Sequence, residues 1–225
     1  MPLKGCTIVF DLDGTLVDSA PDLLRALNQV MDLEGLPHPA EAVVRNFVGH
    51  GARRLIERAA GHFGAHYTDE RLDQLTAAFI EFYSADIAAL TRPYPGALEA
   101  LDELAAAGAI LAVCTNKRTG LSVQLLEALG MAERFAAIVG ADSVTARKPD
   151  PHHFLETVSR AGGDPTRAVM VGDTDADARA AQGAGAPVIL ARFGYGSAIE
   201  DLSADALISG YEELAAEIRR LLVNA

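Results

Sequence analysis

Short apolar runs recur along the chain, and several of them end in polar residues. The runs occupy residues 8–10, 110–114, 136–140, 169–171 and 188–190. Runs of this length are typical of buried strands. The segments between them repeat leucine and alanine at steps of three and four residues, as amphipathic helices do. This alternation predicts an α/β fold with a doubly wound, Rossmann-like parallel sheet, whose ligands bind at the carboxyl ends of the strands.

The interval between the first two strands, residues 17–108, is too long for an ordinary connection in a compact α/β unit. Most of it has helical periodicity. The periodic segments are residues 21–33, 40–60 and 68–89. We therefore expect a helical cap at residues 18–88, inserted after the first strand, and an α/β catalytic core made of residues 1–17 and 89–225.

Asp11 and Asp13 follow the first apolar run directly. Strand side chains alternate, so aspartates two residues apart project to the same side. Two such carboxylates are costly unless a cation binds them or one retains a proton. Mg²⁺ accepts carboxylate and carbonyl oxygens, and a carboxylate can act as a nucleophile while its neighbour acts as acid and base. An ordinary turn is the alternative, because Asp and Gly are turn formers.

Three later strand ends carry groups that suit a phosphate and a metal ion. Thr115, Asn116 and Lys117 offer a hydroxyl, an amide and an ammonium, and a phosphate needs several hydrogen bonds at once. Lys148 lies in the proline-restricted segment R-K-P-D-P, which favours a fixed point charge. Asp173 follows a strand immediately, and Asp177 lies about one helical turn later. Helix caps, a surface lysine and acids at a helix N-terminus are the structural alternatives.

In this order the four strand ends resemble the four motifs of the haloacid dehalogenase superfamily of phosphotransferases. Residues 11–15 (D-L-D-G-T) are similar to the first motif, Thr115 to the second, Lys148 to the third and residues 172–177 (G-D-T-D-A-D) to the fourth. Within the superfamily, the sequence is most similar to the bacterial phosphoglycolate phosphatases. The supporting segments are F-D-L-D-G-T-L-V-D-S, V-G-H-G-A, T-N-K, R-K-P-D-P and, near residue 195, F-G-Y-G.

The resemblance implies a Mg²⁺-dependent phosphomonoester hydrolase that converts 2-phosphoglycolate and water to glycolate and phosphate. Asp11 would attack phosphorus and become an aspartyl phosphate, while Asp13 would act as general acid and base. Mg²⁺ would be held by Asp11, by Asp173 and, through its main-chain carbonyl, by Asp13.

The remaining motif residues are expected to hold the phosphoryl group and support the metal. Lys148 and Thr115 would bind the transferred phosphoryl group, with Asn116 assisting. Lys148 should also keep Asp11 ionised, because a nearby cation lowers a carboxylate pKa. Asp177 would hold metal-bound waters or Lys148.

Relatives with other activities are separated by single residues. The dehalogenases and the phosphonate-cleaving members lack an acid at the position of Asp13, and the latter need a cap lysine, whereas lysine occurs here only at 4, 117 and 148. Sugar phosphate mutases share D-x-D-G but usually carry valine in place of Thr15. Pyrophosphatases and nucleotidases share all four motifs and remain open. Phosphoacceptor receiver domains, which signal rather than turn over substrate, are shorter and lack the D-x-D pair.

A small acidic substrate needs a positive group or backbone N–H donors from the cap. The best candidate is residues 49–54 (G-H-G-A-R-R), a glycine-flanked turn opening a helix, because helix N-termini bind anions. His50, Arg53 and Arg54 could add positive charge there. The alternative is that these side chains are solvated helix residues.

Composition agrees with a metabolic enzyme. A net charge of −12 argues against a nucleic-acid partner. No apolar run approaches the roughly 20 residues needed to cross a bilayer. We expect no secretion signal, because the residues M-P-L-K-G-C lead directly into the first strand without a long apolar region. Cys6 and Cys114 lie in or beside apolar strands and are expected to be reduced core residues. We expect a cytoplasmic monomer or homodimer that acts on a small phosphorylated metabolite.

Overall fold

The computed structural model describes residues 3–223 and contains a six-stranded parallel sheet, which confirms the predicted fold class. The strands, including a separate two-stranded pair, are β1 (Thr7–Phe10), β2 (Val17–Asp18), β3 (Arg92–Pro93), β4 (Ile110–Thr115), β5 (Ala137–Gly140), β6 (Ala168–Gly172), β7 (Val188–Ala191) and β8 (Ala206–Ile208). The sheet order is β5-β4-β1-β6-β7-β8, so β1 lies between β4 and β6. Because these three strands are parallel neighbours, their carboxyl ends meet at one edge.

Helices cover both faces of the sheet. They are α1 (Ala20–Leu33), α2 (Glu41–Arg45), α3 (Ala52–His62), α4 (Asp69–Ala85), α5 (Ala97–Ala106), α6 (Thr119–Ala128), α7 (Pro151–Arg160), α8 (Asp175–Gly183) and α9 (Leu214–Val223). Alternate residues of β1 enter different cores, as strand geometry requires. Ile8 and Phe10 pack in the cluster that includes α5, α6 and α9, whereas Val9 packs in the cluster beneath α7 and α8.

The insertion between β1 and β4 contains α1 to α4, and its two connections to the sheet run side by side. β2 and β3 pair antiparallel, with Val17 opposite Pro93 and Asp18 opposite Arg92. Within the insertion, α4 packs against both α1 and α3. The division into a core and a cap at residues 18–88 remains a prediction.

Two local features differ from the sequence patterns. Residues 40–60, which have continuous helical periodicity, form two helices because Gly49 and Gly51 adopt positive φ angles of 94° and 87°. β8 forms an edge strand that the sequence did not predict, because its three residues are too few to show a pattern. Within residues 3–223, none of the helices is both long and apolar enough to span a bilayer.

Candidate active site

Asp11 lies at the carboxyl end of β1, where the chain turns away from the sheet. Its own N–H donates to the carbonyl of Val171 on β6 at 2.9 Å, which extends the sheet register by one residue. Its Oδ1 accepts the N–H of Leu12 at 2.7 Å. Gly14 follows at φ +87°, and a Cβ there would collide with the carboxylate of Asp173. The tight turn therefore brings the D-x-D segment against β6.

Lys148 lies buried at the centre of this strand edge. Its Nζ is 3.0 Å from Asp11 Oδ1 and 2.6 Å from Asp177 Oδ1, and it donates to the carbonyl of Cys114 at 2.6 Å. Burial alone would lower the pKa of Lys148, but the two carboxylates outweigh it and raise that pKa above its usual value. The ammonium is therefore charged, and one cation serves two carboxylates.

Asp11, Asp173 and Asp177 form a buried cluster of three carboxylates. Each offers an oxygen within 4.8 Å of the others, a donor set that a divalent cation could bind. Burial raises the pKa of Asp11 to about 6, although Lys148 acts in the opposite direction. Burial and the neighbouring carboxylates also raise the pKa of Asp173 well above 3.8. Hard oxygen donors with uncompensated negative charge fit Mg²⁺.

Asp177 is occupied by other contacts. Its Oδ1 accepts from Lys148, and its Oδ2 accepts from Thr174 Oγ1 at 2.6 Å and from the Thr174 N–H at 3.0 Å. The latter contacts belong to a capping box at the start of α8. Because both oxygens are engaged, Asp177 is better placed to fix Lys148 than to bind a metal directly.

The carboxylate of Asp13 points away from that cluster. Its Oδ1 accepts from Ser19 Oγ at 2.5 Å, and Lys117 Nζ lies 2.9 and 3.0 Å from its two oxygens. Lys117 is buried and lies 4.5 Å from the centre of the Tyr83 ring in α4. Burial would lower the pKa of Lys117, but the charge of Asp13 outweighs it and raises that pKa.

Thr115 and Asn116 follow β4 at the same edge. Thr115 Oγ1 accepts the N–H of Lys117 at 3.2 Å, which leaves its hydroxyl hydrogen available. Asn116 Nδ2 donates to the carbonyl of Lys148 at 3.1 Å and to the carbonyl of Gly49 at 3.0 Å. Asn116 thus ties the strand edge to the insertion.

A cleft lies between the strand edge and the insertion. The core contributes polar walls, namely Asp11, Asp13, Thr115, Asn116, Lys117 and Arg118. The insertion contributes mostly apolar walls, among them Leu23, Val48, Leu55, Phe79, Ile80 and Tyr83, together with Gly49, Gly51 and Ala52. This cleft could hold a small ester whose phosphate faces the core.

The three cap candidates do not line this cleft. Arg53 is paired with Asp69 and Asp73, and Arg54 with Glu57 three residues along α3. His50 lies beside the core, with Nε2 4.0 Å from Asp175 Oδ1. Their contact with a substrate therefore stays a prediction.

The sequence offered the ammonium of Lys117 as a phosphate donor beside Thr115 and Asn116, but it did not predict the contact of Lys117 with Asp13. It assigned no role to Ser19 or Tyr195. These two residues carried no local signal, since Tyr195 meets Ser19 and its neighbours across 176 residues of sequence.

Comparison with known proteins identifies relatives over nearly the whole chain. A sequence model of the haloacid dehalogenase-like hydrolase family matches residues 8–191. The phosphoglycolate phosphatase of Mesorhizobium japonicum is 44% identical over 219 residues, covering 97% of this chain and 96% of that protein. The crystal structure of a predicted phosphoglycolate phosphatase from Haemophilus somnus has a TM-score of 0.87 at 31% identity, covering 96% of this chain and 98% of that one. CbbY from Rhodobacter sphaeroides, solved in complex with phosphate, has a TM-score of 0.81 at 27% identity, covering 97% and 99%.

Proposed function

Because the chain belongs to the haloacid dehalogenase-like hydrolase family and is a phosphoric monoester hydrolase, we propose that it hydrolyses 2-phosphoglycolate through an aspartyl phosphate on Asp11. The observation that carries the proposal is the position of Lys148, 3.0 Å from Asp11 Oδ1 at the edge of a cleft that Asp13 also lines. The phosphate held by the structural relative and the substrate named for the curated relative support the same reaction class.

Mg²⁺ is the proposed cofactor. Asp11, Asp173 and the main-chain carbonyl of Asp13 would hold it, whereas Asp177 keeps its contacts to Lys148 and to the start of α8. When bound, the ion neutralises negative charge on the ester and on the buried carboxylates. The need for such an ion follows from the raised pKa values of Asp11 and Asp173, which record the cost of leaving them charged and unpaired.

Asp11 is the proposed nucleophile. Its carboxylate attacks phosphorus, the bond to the ester oxygen breaks, and the phosphoryl group moves to Asp11. A pKa of about 6 leaves most of this carboxyl ionised at pH 7.5 even before a metal is considered. The buried ammonium of Lys148 and the hydroxyl of Thr115 hold the oxygens of the moving group.

Asp13 is the proposed acid and base. In the first step its carboxyl gives a proton to the leaving alkoxide. In the second step it takes a proton from the water that attacks the phosphorus of the aspartyl phosphate, and phosphate is released from Asp11. Lys117 and Ser19 hold its carboxylate beside the cleft, so its position does not depend on the substrate. We infer that Lys117 fixes the orientation of the Asp13 carboxylate, a role outside the four sequence motifs.

The leaving group enters a space walled largely by the insertion. The apolar walls favour a small leaving group, and the carboxylate of glycolate would lie toward residues 49–54, near the N–H groups that open α3. His50 is the side chain of that segment nearest the core, whereas Arg53 and Arg54 are held by acids of the insertion. We expect a free metabolite as substrate, turned over in the cytoplasm by a monomer or homodimer.

A panel of phosphate esters tests this proposal. Wild type and Asp11→Asn are assayed with and without Mg²⁺ on 2-phosphoglycolate, pyrophosphate, nucleotides, sugar phosphates and an aryl phosphate. We expect the highest kcat/KM on 2-phosphoglycolate, dependence on Mg²⁺, and loss of turnover in the variant. A higher kcat/KM on pyrophosphate or a nucleotide would contradict 2-phosphoglycolate as the substrate, and undiminished turnover by Asp11→Asn would overturn the mechanism.

A further inference from the structure

The segment that follows β7, residues 193–196 (F-G-Y-G), lies directly on the metal-binding carboxylate. A Cβ at Gly194 would collide with the side chain of Asp173, and a Cβ at Gly196 would collide with its main-chain carbonyl. Only glycine fits on either side of Tyr195 at this distance of approach. The two glycines therefore allow Tyr195 to lie against Asp173, and Tyr195 takes no part in the proposed reaction steps.

One end of Tyr195 fixes Asp173. The N–H of Tyr195 donates to Asp173 Oδ2 at 2.7 Å, and the hydroxyl of Thr15 donates to Oδ1 at 2.9 Å. Asp173 is fully buried, so these two donors set the orientation of its carboxylate. A shift of residue 195 would therefore move one of the two donors that orient the Asp173 carboxylate.

The other end of Tyr195 fixes the first connection to the insertion. Its hydroxyl oxygen accepts the N–H of Ser19 at 2.8 Å and that of Ala20 at 3.0 Å, and it donates to Asp18 Oδ1 at 2.7 Å. Ser19 makes no side-chain cap at the start of α1, so the tyrosine hydroxyl satisfies the N–H groups there. Asp18 Oδ2 is in turn paired with Arg45 of α2 at 2.8 Å.

The same segment also contacts the second connection. The ring of Phe193 lies 4.8 Å from the ring of Tyr94, which directly follows β3. Both connections of the insertion and the carboxylate of Asp173 therefore meet on four residues of one loop.

We propose that Tyr195 is a positioning residue that couples metal binding at Asp173 to the seating of the insertion on the core. Its backbone N–H holds the carboxylate and its hydroxyl holds Asp18, Ser19 and Ala20. A rigid aromatic ring joins the two ends. The proposal rests on the metal site of the proposed function. Coupling between two sites is reciprocal, so breaking the outer end must also change the affinity for the ion.

The test compares wild type, Tyr195→Phe and Tyr67→Phe. Tyr195→Phe removes the outer contacts and keeps the N–H donor to Asp173. Tyr67→Phe is the control, because it removes a tyrosine hydroxyl within the insertion that interacts with Glu34 and not with Asp18, Ser19 or Asp173. Amide hydrogen exchange at Ser19 and Ala20 is measured in EDTA and in Mg²⁺, and the Kd for Mg²⁺ is measured by calorimetry.

Mg²⁺ binding stabilises the folded protein and slows exchange through global unfolding at every amide, so exchange at Ser19 and Ala20 is compared with exchange at the amides of β4. In wild type and Tyr67→Phe, we expect Mg²⁺ to slow exchange at Ser19 and Ala20 about fivefold or more beyond the slowing in β4, a change in the usual range of coupling between sites. In Tyr195→Phe, we expect no such excess and about fivefold weaker Mg²⁺ binding, for the same reciprocal reason. A tyrosine that only stabilises the fold would give no excess slowing at Ser19 and Ala20 in wild type. That result, or an unchanged Kd in Tyr195→Phe, would overturn the proposal.

Two further measurements keep the result interpretable. If Tyr195→Phe does not fold, Asp18→Asn weakens the same outer end and should shift the Kd in the same direction. Asp173→Asn should remove Mg²⁺ binding. Wild type that binds no Mg²⁺ would contradict both the metal site and the coupling, whereas binding without an effect on exchange would contradict the coupling alone.

Discussion

Replacing Asp173 by asparagine should stabilise the metal-free protein, although the proposed mechanism needs this carboxylate to bind Mg²⁺. Asp173 shares a buried cluster with Asp11 and Asp177, and their oxygens lie within 4.8 Å of one another. Asparagine has nearly the same shape, and it can still accept from the N–H of Tyr195 while its amide donates to Thr15. The substitution therefore removes charge without opening a cavity.

The magnitude follows from the geometry. Two unit charges at 4.8 Å repel by about 3 kcal/mol at an effective dielectric constant of about 20, and Asp173 faces two such charges. Attraction to Lys148 and the loss of charge-assisted hydrogen bonds, about 1.5–3 kcal/mol each, offset much of this repulsion. We expect a net gain of about 2 kcal/mol at pH 8, which at roughly 2–4 °C per kcal/mol raises the Tm by about 4–8 °C.

The gain should depend on pH with a defined sign. The pKa of Asp11 is raised to about 6 and that of Asp173 is also raised, so the folded protein binds protons more tightly than the unfolded chain. Wild-type stability from this cluster is present at low pH and is lost as pH rises through these folded-state pKa values. The advantage of Asp173→Asn should therefore shrink at pH 5 and grow toward pH 8.

Urea unfolding in EDTA, followed by circular dichroism because the chain has no tryptophan, measures this difference. Asp201→Asn, which removes an exposed charge, is the control and should change stability by less than about 0.5 kcal/mol. Saturating Mg²⁺ should reverse the order, since an ion at 100 times its Kd adds about 2.7 kcal/mol to wild type. An Asp173→Asn variant less stable than wild type in EDTA at pH 8 would refute the reasoning.

Three other outcomes follow from the site. Asp13→Asn should lower kcat by about 10²–10⁴ while the Mg²⁺ concentration for half-activation changes little; rescue of the rate by excess Mg²⁺ would contradict the acid–base role. Lys117→Met should lower the free energy of unfolding by about 3–5 kcal/mol, because it leaves a buried carboxylate without its cation, whereas Lys117→Arg keeps the charge and should lower it less; equal values for the two variants in urea unfolding would contradict this. Alanine at His50, the cap candidate beside the core, should change the ranking of ester substrates more than alanine at Arg53 or Arg54, which pair with acids of the insertion, and more than it changes hydrolysis of an aryl phosphate; an unchanged ranking in all three would place recognition elsewhere.

The parts of the fold predictable from the sequence are those with local signals. The predicted run 110–114 corresponds to β4 (Ile110–Thr115), and the run 188–190 to β7 (Val188–Ala191), because apolar β-branched runs have few other buried solutions. The end of α3 at His62 follows from the glycines around it, and Thr68 caps α4 as its residue type suggests. The order of strands in the sheet depends on long-range pairing and leaves no trace in local periodicity.

The site divides in the same way. Asp11 and Lys148 could be predicted because each follows a strand within a short motif, and parallel strands end at one edge. The contact of Lys117 with Asp13 joins residues 104 positions apart, and only the three-dimensional turn after β1 brings them together. The expectation that Lys148 keeps Asp11 ionised needs a partial correction. Lys148 does lower the pKa of Asp11 as expected, but burial, which the sequence does not report, outweighs it.

The central claim is that Asp11 carries the phosphoryl group. Enzyme mixed with 2-phosphoglycolate and Mg²⁺ is quenched during turnover and reduced with borohydride, which converts an acyl phosphate on aspartate to homoserine. Peptide mass spectrometry then locates the modified residue. We predict homoserine at position 11, dependent on both substrate and Mg²⁺ and absent from Asp11→Asn. Homoserine at another position, or full turnover with none at position 11, would contradict it.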